Sequence, residues 1–284
     1  MALVPVDELL SKADREGYAV GAFNANNMEI VQAIIEAAEK ENSPVIMQAS
    51  QGAIKYAGLE FITGMVKIAA ESSRVPVALH LDHGTDFDQV VKCIRSGFSS
   101  VMYDGSKLPL EENIAITKKV LDMATPINVS VEAELGKIGG TEDLVHVKDE
   151  DAVFTDPEEA RYFVEQTGIR SLAIAIGTAH GQYKGEPRLD FERLARIKEL
   201  TRIPLVLHGS SGVPDAAVQK AIQLGICKVN IDTNIREAFV WKMREVMQSN
   251  PDEIDPRKIL GPARDAAVEI IRAKIRTFGS SGKA

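Results

Sequence analysis

The chain has 284 residues, 45% hydrophobic and 26% charged, enough for a large buried core and suited to one large α/β domain. Its formal charge of −8 offers no basic surface for nucleic acid, and no run of about 18 apolar residues suggests a membrane span. Two isolated cysteines, Cys93 and Cys227, form no disulfide framework or CxxC pair, which points to a reducing cytoplasm.

The N-terminal stretch MALVPVDELLSKADREG breaks its short apolar start with Asp7 and Glu8 and lacks a basic leader, so export is not expected. Residues 18–24 (YAVGAFN) predict the first strand. In the segment that follows, MEIVQAIIEAAEKEN, Ile30, Ile34, Ala37 and Ala38 share one face while Glu36, Glu39 and Lys40 share another, which predicts a helix. Further short, β-branched runs predict strands at 44–50, 75–82, 99–105, 128–135, 171–177, 203–208 and 227–233. Helices between them are marked by TDFDQVVKCIRSG, TDPEEARYFVEQTG and GVPDAAVQKAIQLG, each entered through Asp or Pro and left through Gly.

Eight strand-then-helix units over this length predict a single (β/α)8 TIM barrel across residues 1–284. The stretch DPRKILGPARDAAVEIIRAKIRTFG adds a C-terminal helical extension outside it. An open doubly wound sheet would carry GxGxxG at its first turn, and VGAFNANN does not. The longest loop, 137–155, is rich in Gly and acids and is expected to be a mobile active-site lid, while the tail 278–284 is expected to be frayed.

Barrels of this kind do their chemistry at the carboxyl ends of the strands. There the sequence places Asp82 and His83, Asp104, Glu132 and Glu134, His180 in GTAHG, His208 in HGSSG, and the run NIDTN at 230–234. Three of the five histidines thus converge on one end. Three imidazoles suit a divalent transition metal, Zn²⁺ first and Co²⁺, Mn²⁺ or Fe²⁺ behind it, with an open position for substrate oxygen. His80, two residues before Asp82 on an apolar strand, reads as a satisfied core histidine, and His146 as a solvated loop residue. Glu132 reads as a partner for a histidine N–H rather than as a catalyst. Asp82 and His83 are neighbours and should face opposite ways on a strand, so both serve one site only if the chain bends, which Gly84 would allow. Thr85 or Asp86 is left to cap the following helix. HGSSG and NIDTN open helices where barrels bind phosphate through backbone N–H groups. No lysine stands at a strand's carboxyl end; Lys228 reads as lying at the start of its strand, so a Schiff-base mechanism is not expected.

The motifs LHLDHG, VMYDGS, VEAELG, GTAHG, LHGSSG and KVNIDTN closely resemble class II, metal-dependent fructose-1,6-bisphosphate aldolases, in the short-chain branch shared with tagatose-1,6-bisphosphate aldolases. The resemblance runs from about residue 1 to 280 in consistent order. It implies reversible cleavage of fructose 1,6-bisphosphate to dihydroxyacetone phosphate and glyceraldehyde 3-phosphate, a step of glycolysis and gluconeogenesis, through a Zn-stabilised enediolate. On the matching positions it implies His83, His180 and His208 as ligands of the catalytic zinc, and Asp82 as the acid–base at the C4 oxygen. Asp104 and Glu134 match a second metal site, and Glu142 the mobile acid that exchanges the proton at dihydroxyacetone phosphate C3. Gly181, Gly209, Ser210 and Ser211 would cradle the ketose phosphate, with Ser50 and Lys184 assisting. Asn230, Ile231, Asp232 and Thr233 would contact substrate, and Arg236 and Arg257 the other phosphate, although a surface salt bridge is an equal reading of Arg257. A second divalent ion, a monovalent cation and a homodimer or homotetramer are further implications of the resemblance. Tagatose enzymes of the family tend to carry alanine where this chain has Asp232, which favours fructose. A metal-dependent hydrolase barrel would show an HxH pair on its first strand, and GAFNANN has none. A metal-binding protein without catalysis would need neither Asp82 nor Glu142.

Overall fold

The computed structural model describes residues 3–142, 145–148, 152–183, 185 and 187–284. Eleven strands are present among them: β1 (Val20–Asn24), β2 (Val45–Ser50), β3 (Val77–Gly84), β4 (Ser100–Tyr103), β5 (Ser130–Leu135), β6 (Gly139–Glu142), β7 (Val145–Val147), β8 (Ser171–Ile174), β9 (Ala179–His180), β10 (Leu205–Leu207) and β11 (Ile226–Ile231). Eight of these close into a parallel barrel in the order β1-β11-β10-β8-β5-β4-β3-β2. Each overlaps one of the eight strands read from the sequence, and helices intervene as the (β/α)8 pattern requires.

Alternation sorts the strand residues into two sets. One set, including Phe23, Met47, Leu79, Leu81, Val101, Val131, Leu172, Leu207 and Val229, packs against the surrounding helices in the main apolar core. The other set fills the barrel, and its register pairs Asn24 with Gln48, Gln48 with His80, His80 with Ser100, and Met102 with Glu132. Low in the barrel this filling is apolar: Val20, Ala22, Ile46 and Ala78 pack with Val6, Leu9, Leu10 and Ala13 of the helix Val6–Glu16. That helix plugs the amino end, ending at Gly17 in the left-handed conformation. Higher up, the filling turns polar.

The helices Thr233–Ser249 and Pro256–Thr277 follow β11, and the last packs on the helix Met28–Glu41 and on its own predecessor. The tail differs from expectation. Phe278 and Ser280 are buried, and Gly282 N and Ala284 N donate to the carbonyls of Glu41 and Asn42 at 2.9 and 3.0 Å. The 137–155 loop contains a hairpin, β6 with β7 antiparallel, and β6 also pairs in parallel with β9, so Gly140 lies beside His180. Residues 143, 144 and 149–151 of that loop lie outside the described structure.

Candidate metal centre and acid–base site

β3 carries Asp82 and His83 to the mouth of the barrel and then breaks its pairing with β4, with a register shift between Leu81 and Gly84. The residue that bends is His83 itself, at φ 48°, in the left-handed region where a non-glycine residue is strained. The sequence assigned that bend to Gly84. Gly84 serves another need: a Cβ there would stand 2.5 Å from the Met102 carbonyl oxygen. Turning His83 back lets adjacent side chains face one site. Asp86 caps the following helix by accepting from Asp88 N.

His180 arrives on β9, and His208 directly follows β10. The three imidazoles meet edge to face, with ring centroids 4.6 Å apart for His83 and His208, 5.0 Å for His83 and His180, and 6.1 Å for His180 and His208. Donor atoms of the three lie within 4.8 Å of one another, and so do those of a second group, His83, Asp104 and Glu134.

Hydrogen bonds fix which nitrogens face inward. His83 Nδ1 is 2.9 Å from Asp104 Oδ2, and His208 Nε2 is 3.0 Å from Glu132 Oε1. Carboxylates accept, so each of these nitrogens carries its hydrogen. The remaining nitrogens, His83 Nε2 and His208 Nδ1, then confront each other at 2.9 Å. Two imidazole lone pairs so placed require a positive charge, and a divalent ion fits this donor set. Burial opposes a charge on His83, but the Asp104 hydrogen bond and the charges of Asp82 and Glu134 outweigh it and raise its pKa well above the ordinary value. Burial likewise opposes ionisation of Asp104, yet its bonds to His83 and Ser106 hold its pKa low. Glu134 is pushed well above the usual carboxyl range by burial and by the charge of Asp104.

Asp82 is fully buried and held by three amides. Asn24 Nδ2 and Gln48 Nε2 donate to its Oδ2 at 2.9 and 3.0 Å, and Asn230 Nδ2 donates to its Oδ1 at 3.2 Å. The same Asn230 nitrogen lies 3.4 Å from His208 Nδ1, so one amide links the carboxylate to the imidazole cluster. Asn24 and Gln48 were missed from sequence, although a polar residue late in each of two otherwise apolar strands was a usable signal.

Other expected residues separate into those near the site and those away from it. His80 is satisfied as expected, with Nδ1 at 2.8 Å from Ser100 Oγ. Ser211 Oγ accepts from Asp232 N at 3.3 Å, which ties the HGSSG loop to the NIDTN run. Arg236 Nε donates to Asp232 at 2.7 Å. Tyr183 joins two loops, accepting from Ala179 N and donating to the Gly209 carbonyl, both at 2.7 Å. Gly209, at φ 62°, leaves room there, since a Cβ would sit 2.6 Å from the Ala179 carbonyl oxygen. Gly181 follows His180, and Thr233 starts the helix after β11. Ser50 caps the helix Gln51–Ala57 by accepting from Ala53 N.

One expectation is corrected, the placement of Lys228 in its strand, and the surroundings of two further residues are defined. The Ile231 side chain belongs to the outer apolar core, because alternation turns it away from the barrel interior. Ser210 is fully buried, its hydroxyl donating to the Leu207 carbonyl at 3.3 Å. Lys228 lies in the middle of β11 and inside the barrel, bound to Glu132. Arg257 is 89% exposed and pairs with Asp255, the surface reading of that residue. Glu142 is placed by its backbone at the end of β6, and Lys184 lies outside the described residues.

Against known proteins, the family model for class II fructose-bisphosphate aldolase matches residues 4–283. The chain belongs to that family. It is 50% identical over 300 residues to the fructose-bisphosphate aldolase of Thermus caldophilus, covering 98% of each chain. It is 46% identical to a sulfofructosephosphate aldolase of Alkalicoccus urumqiensis, covering 100% of this chain and 99% of that one. Among solved structures, the YdjI aldolase of Escherichia coli K12 superposes with a TM-score of 0.87 at 35% identity over 99% of each chain.

Proposed function

We propose that the chain cleaves fructose 1,6-bisphosphate reversibly to dihydroxyacetone phosphate and glyceraldehyde 3-phosphate, with His83, His180 and His208 holding a divalent ion, Zn²⁺ in the first instance. The observation that carries this reading is the Asn230 amide shared between Asp82 and His208, which sets an acid–base carboxylate beside a three-imidazole cation site. When bound, the ion supplies a Lewis acid for the negative charge that develops beside the ketone as the carbon–carbon bond breaks. Asp82 takes the proton from the C4 hydroxyl in cleavage and returns it in condensation, its carboxylate aimed by Asn24, Gln48 and Asn230. Glu132 and Asp104 hold the tautomers of His208 and His83. Asp104 and Glu134 are also the candidates for a second cation beside His83. Gly181, Gly209 and Ser211 would receive one phosphate, and Arg236 with Asp232 and Thr233 the other end of the substrate. Glu142 would exchange the proton at dihydroxyacetone phosphate C3.

Asp82 and His208 have no exposed surface, and His83 and His180 only 4% and 6%. Substrate reaches them if a covering segment moves, and the hairpin attached to His180 is the candidate. Amides of β6 and β7 are therefore expected to exchange with solvent at least on the order of a hundredfold faster than those of the barrel strands, and to slow when substrate is added. Exchange as slow as in β3 without substrate would count against a lid.

Among the described residues no helix is long and apolar enough to cross a membrane. A cytoplasmic, glycolytic homodimer or homotetramer is the setting proposed for this activity. The test is cleavage of fructose 1,6-bisphosphate, tagatose 1,6-bisphosphate and sulfofructose phosphate side by side, before EDTA, after EDTA and after Zn²⁺ is restored. Fructose cleavage lost with EDTA and regained with Zn²⁺ is the expected result. Turnover that survives complete metal removal would refute the mechanism, and preference for another sugar would refute the substrate.

A further inference from the structure

Lys228 is buried completely in the barrel interior, two residues before Asn230 on the same strand. Its ammonium lies 2.8 Å from Glu132 Oε2, 3.1 Å from Glu132 Oε1 and 3.2 Å from His80 Nε2. An ammonium only donates, so His80 Nε2 accepts, and His80 carries its hydrogen on Nδ1, toward Ser100 Oγ at 2.8 Å. Glu132 Oε1 also takes the His208 Nε2–H. The chain of contacts thus runs without a gap from Ser100 through His80, Lys228 and Glu132 to His208.

We propose that Lys228 is a positioning residue for the metal centre, gripping both oxygens of Glu132 so that Oε1 holds the His208 Nε2–H and His208 Nδ1 faces the ion. The proposal rests on the ligand reading given above. A buried carboxylate turns readily about its last torsion, and contact with two oxygens at once removes that freedom. Stability alone gives no reason for the pair, because an apolar filling of similar volume is commonly as stable as a buried ion pair. The layer below is filled that way, by Ala22, Ile46 and Ala78. A nucleophilic role for Lys228 is unsupported, since its nitrogen is enclosed and already meets three acceptors. What distinguishes this layer is its contact with His208.

Zn²⁺ affinity would be measured by competition with a chromophoric chelator for the wild type, Lys228→Met, Glu132→Gln, Glu132→Gln/Lys228→Met and His208→Ala. The melting temperature of the chelator-stripped proteins and the ring nitrogen signals of His208 by ¹⁵N NMR would be recorded alongside. Lys228→Met is expected to bind Zn²⁺ about 10–100-fold more weakly, with the Nε2–H tautomer of His208 no longer dominant. In the double variant nothing holds the amide at position 132 in one orientation, so affinity should stay below that of Glu132→Gln alone, in which Lys228 still donates to the amide oxygen. Lys228→Met with affinity within roughly threefold of wild type and an unchanged tautomer would overturn the proposal, leaving Lys228 a filler of the barrel. Should Lys228→Met not fold, the double variant decides. Zn²⁺ bound about 10–100-fold more weakly than in Glu132→Gln alone, where Lys228 still holds the amide oxygen, supports the proposal, and affinity within roughly threefold of that single variant overturns it. A wild type that binds no Zn²⁺, or His208→Ala binding as tightly as wild type, overturns instead the ligand set beneath it.

Discussion

His208→Ala is expected to abolish both Zn²⁺ binding and fructose 1,6-bisphosphate cleavage. The substitution removes one of three imidazoles, and the remaining two, with His180 carried on the hairpin-linked strand β9, leave an incomplete donor set. A Lewis acid contributes several kcal/mol to charge development beside a carbonyl, and each 1.36 kcal/mol is tenfold in rate. Turnover should therefore fall by about 10³ or more. The fold should survive. Glu132 Oε1 loses the His208 N–H, at a cost of about 1–3 kcal/mol, but Lys228 still neutralises the carboxylate. Metal content by atomic absorption, steady-state rates and near-UV circular dichroism separate the two effects. A folded variant with full Zn²⁺ occupancy and a normal rate would remove His208 from the ligand set.

The eight barrel strands were legible because parallel strands buried on both faces read as short, continuous β-branched runs bounded by turn residues. Their carboxyl ends then located the histidines, since strand direction alone decides which end of a barrel they reach. The ways in which neighbouring strands cooperate were not legible. That Asn24, Gln48 and Asn230 converge on Asp82 depends on register around the closed barrel, which no local pattern encodes. His83 in the left-handed conformation contradicts local preference and is held there by its tertiary surroundings, as its bond to Asp104 shows. The strand β9 is two residues long and exists only through its pairing with β6. Ile231 and Lys228 show the same limit from opposite sides. Alternation sends the apolar residue outward and the charged one inward, but that follows only once strand boundaries are known to the residue.

Asp82→Asn should separate acid–base chemistry from metal binding. Asp82 touches none of the three imidazoles directly in the described hydrogen bonds; its neighbours are Asn24, Gln48 and Asn230. Zn²⁺ occupancy is therefore expected to stay near wild type while kcat falls by about 10²–10⁴, the usual contribution of a positioned general acid–base. The replacement is isosteric but not neutral in hydrogen bonding. All three neighbours donate through amide nitrogens, and an asparagine can offer an accepting oxygen on one side only. Its own NH₂ must face either Asn230 or the Asn24–Gln48 pair, which leaves donors opposed at a cost of about 1–3 kcal/mol in stability. Neutral asparagine side chains can turn, so Asn230 is the partner expected to rotate, and its contact with His208 Nδ1 would loosen with it. A small loss of metal affinity accompanying a large loss of kcat is thus the predicted pattern, read from metal titration and single-turnover cleavage. Intact turnover with Asn at 82 would refute Asp82 as the acid–base. An equal loss of metal and rate would mean that its three amide contacts serve the ligand cluster, not the proton.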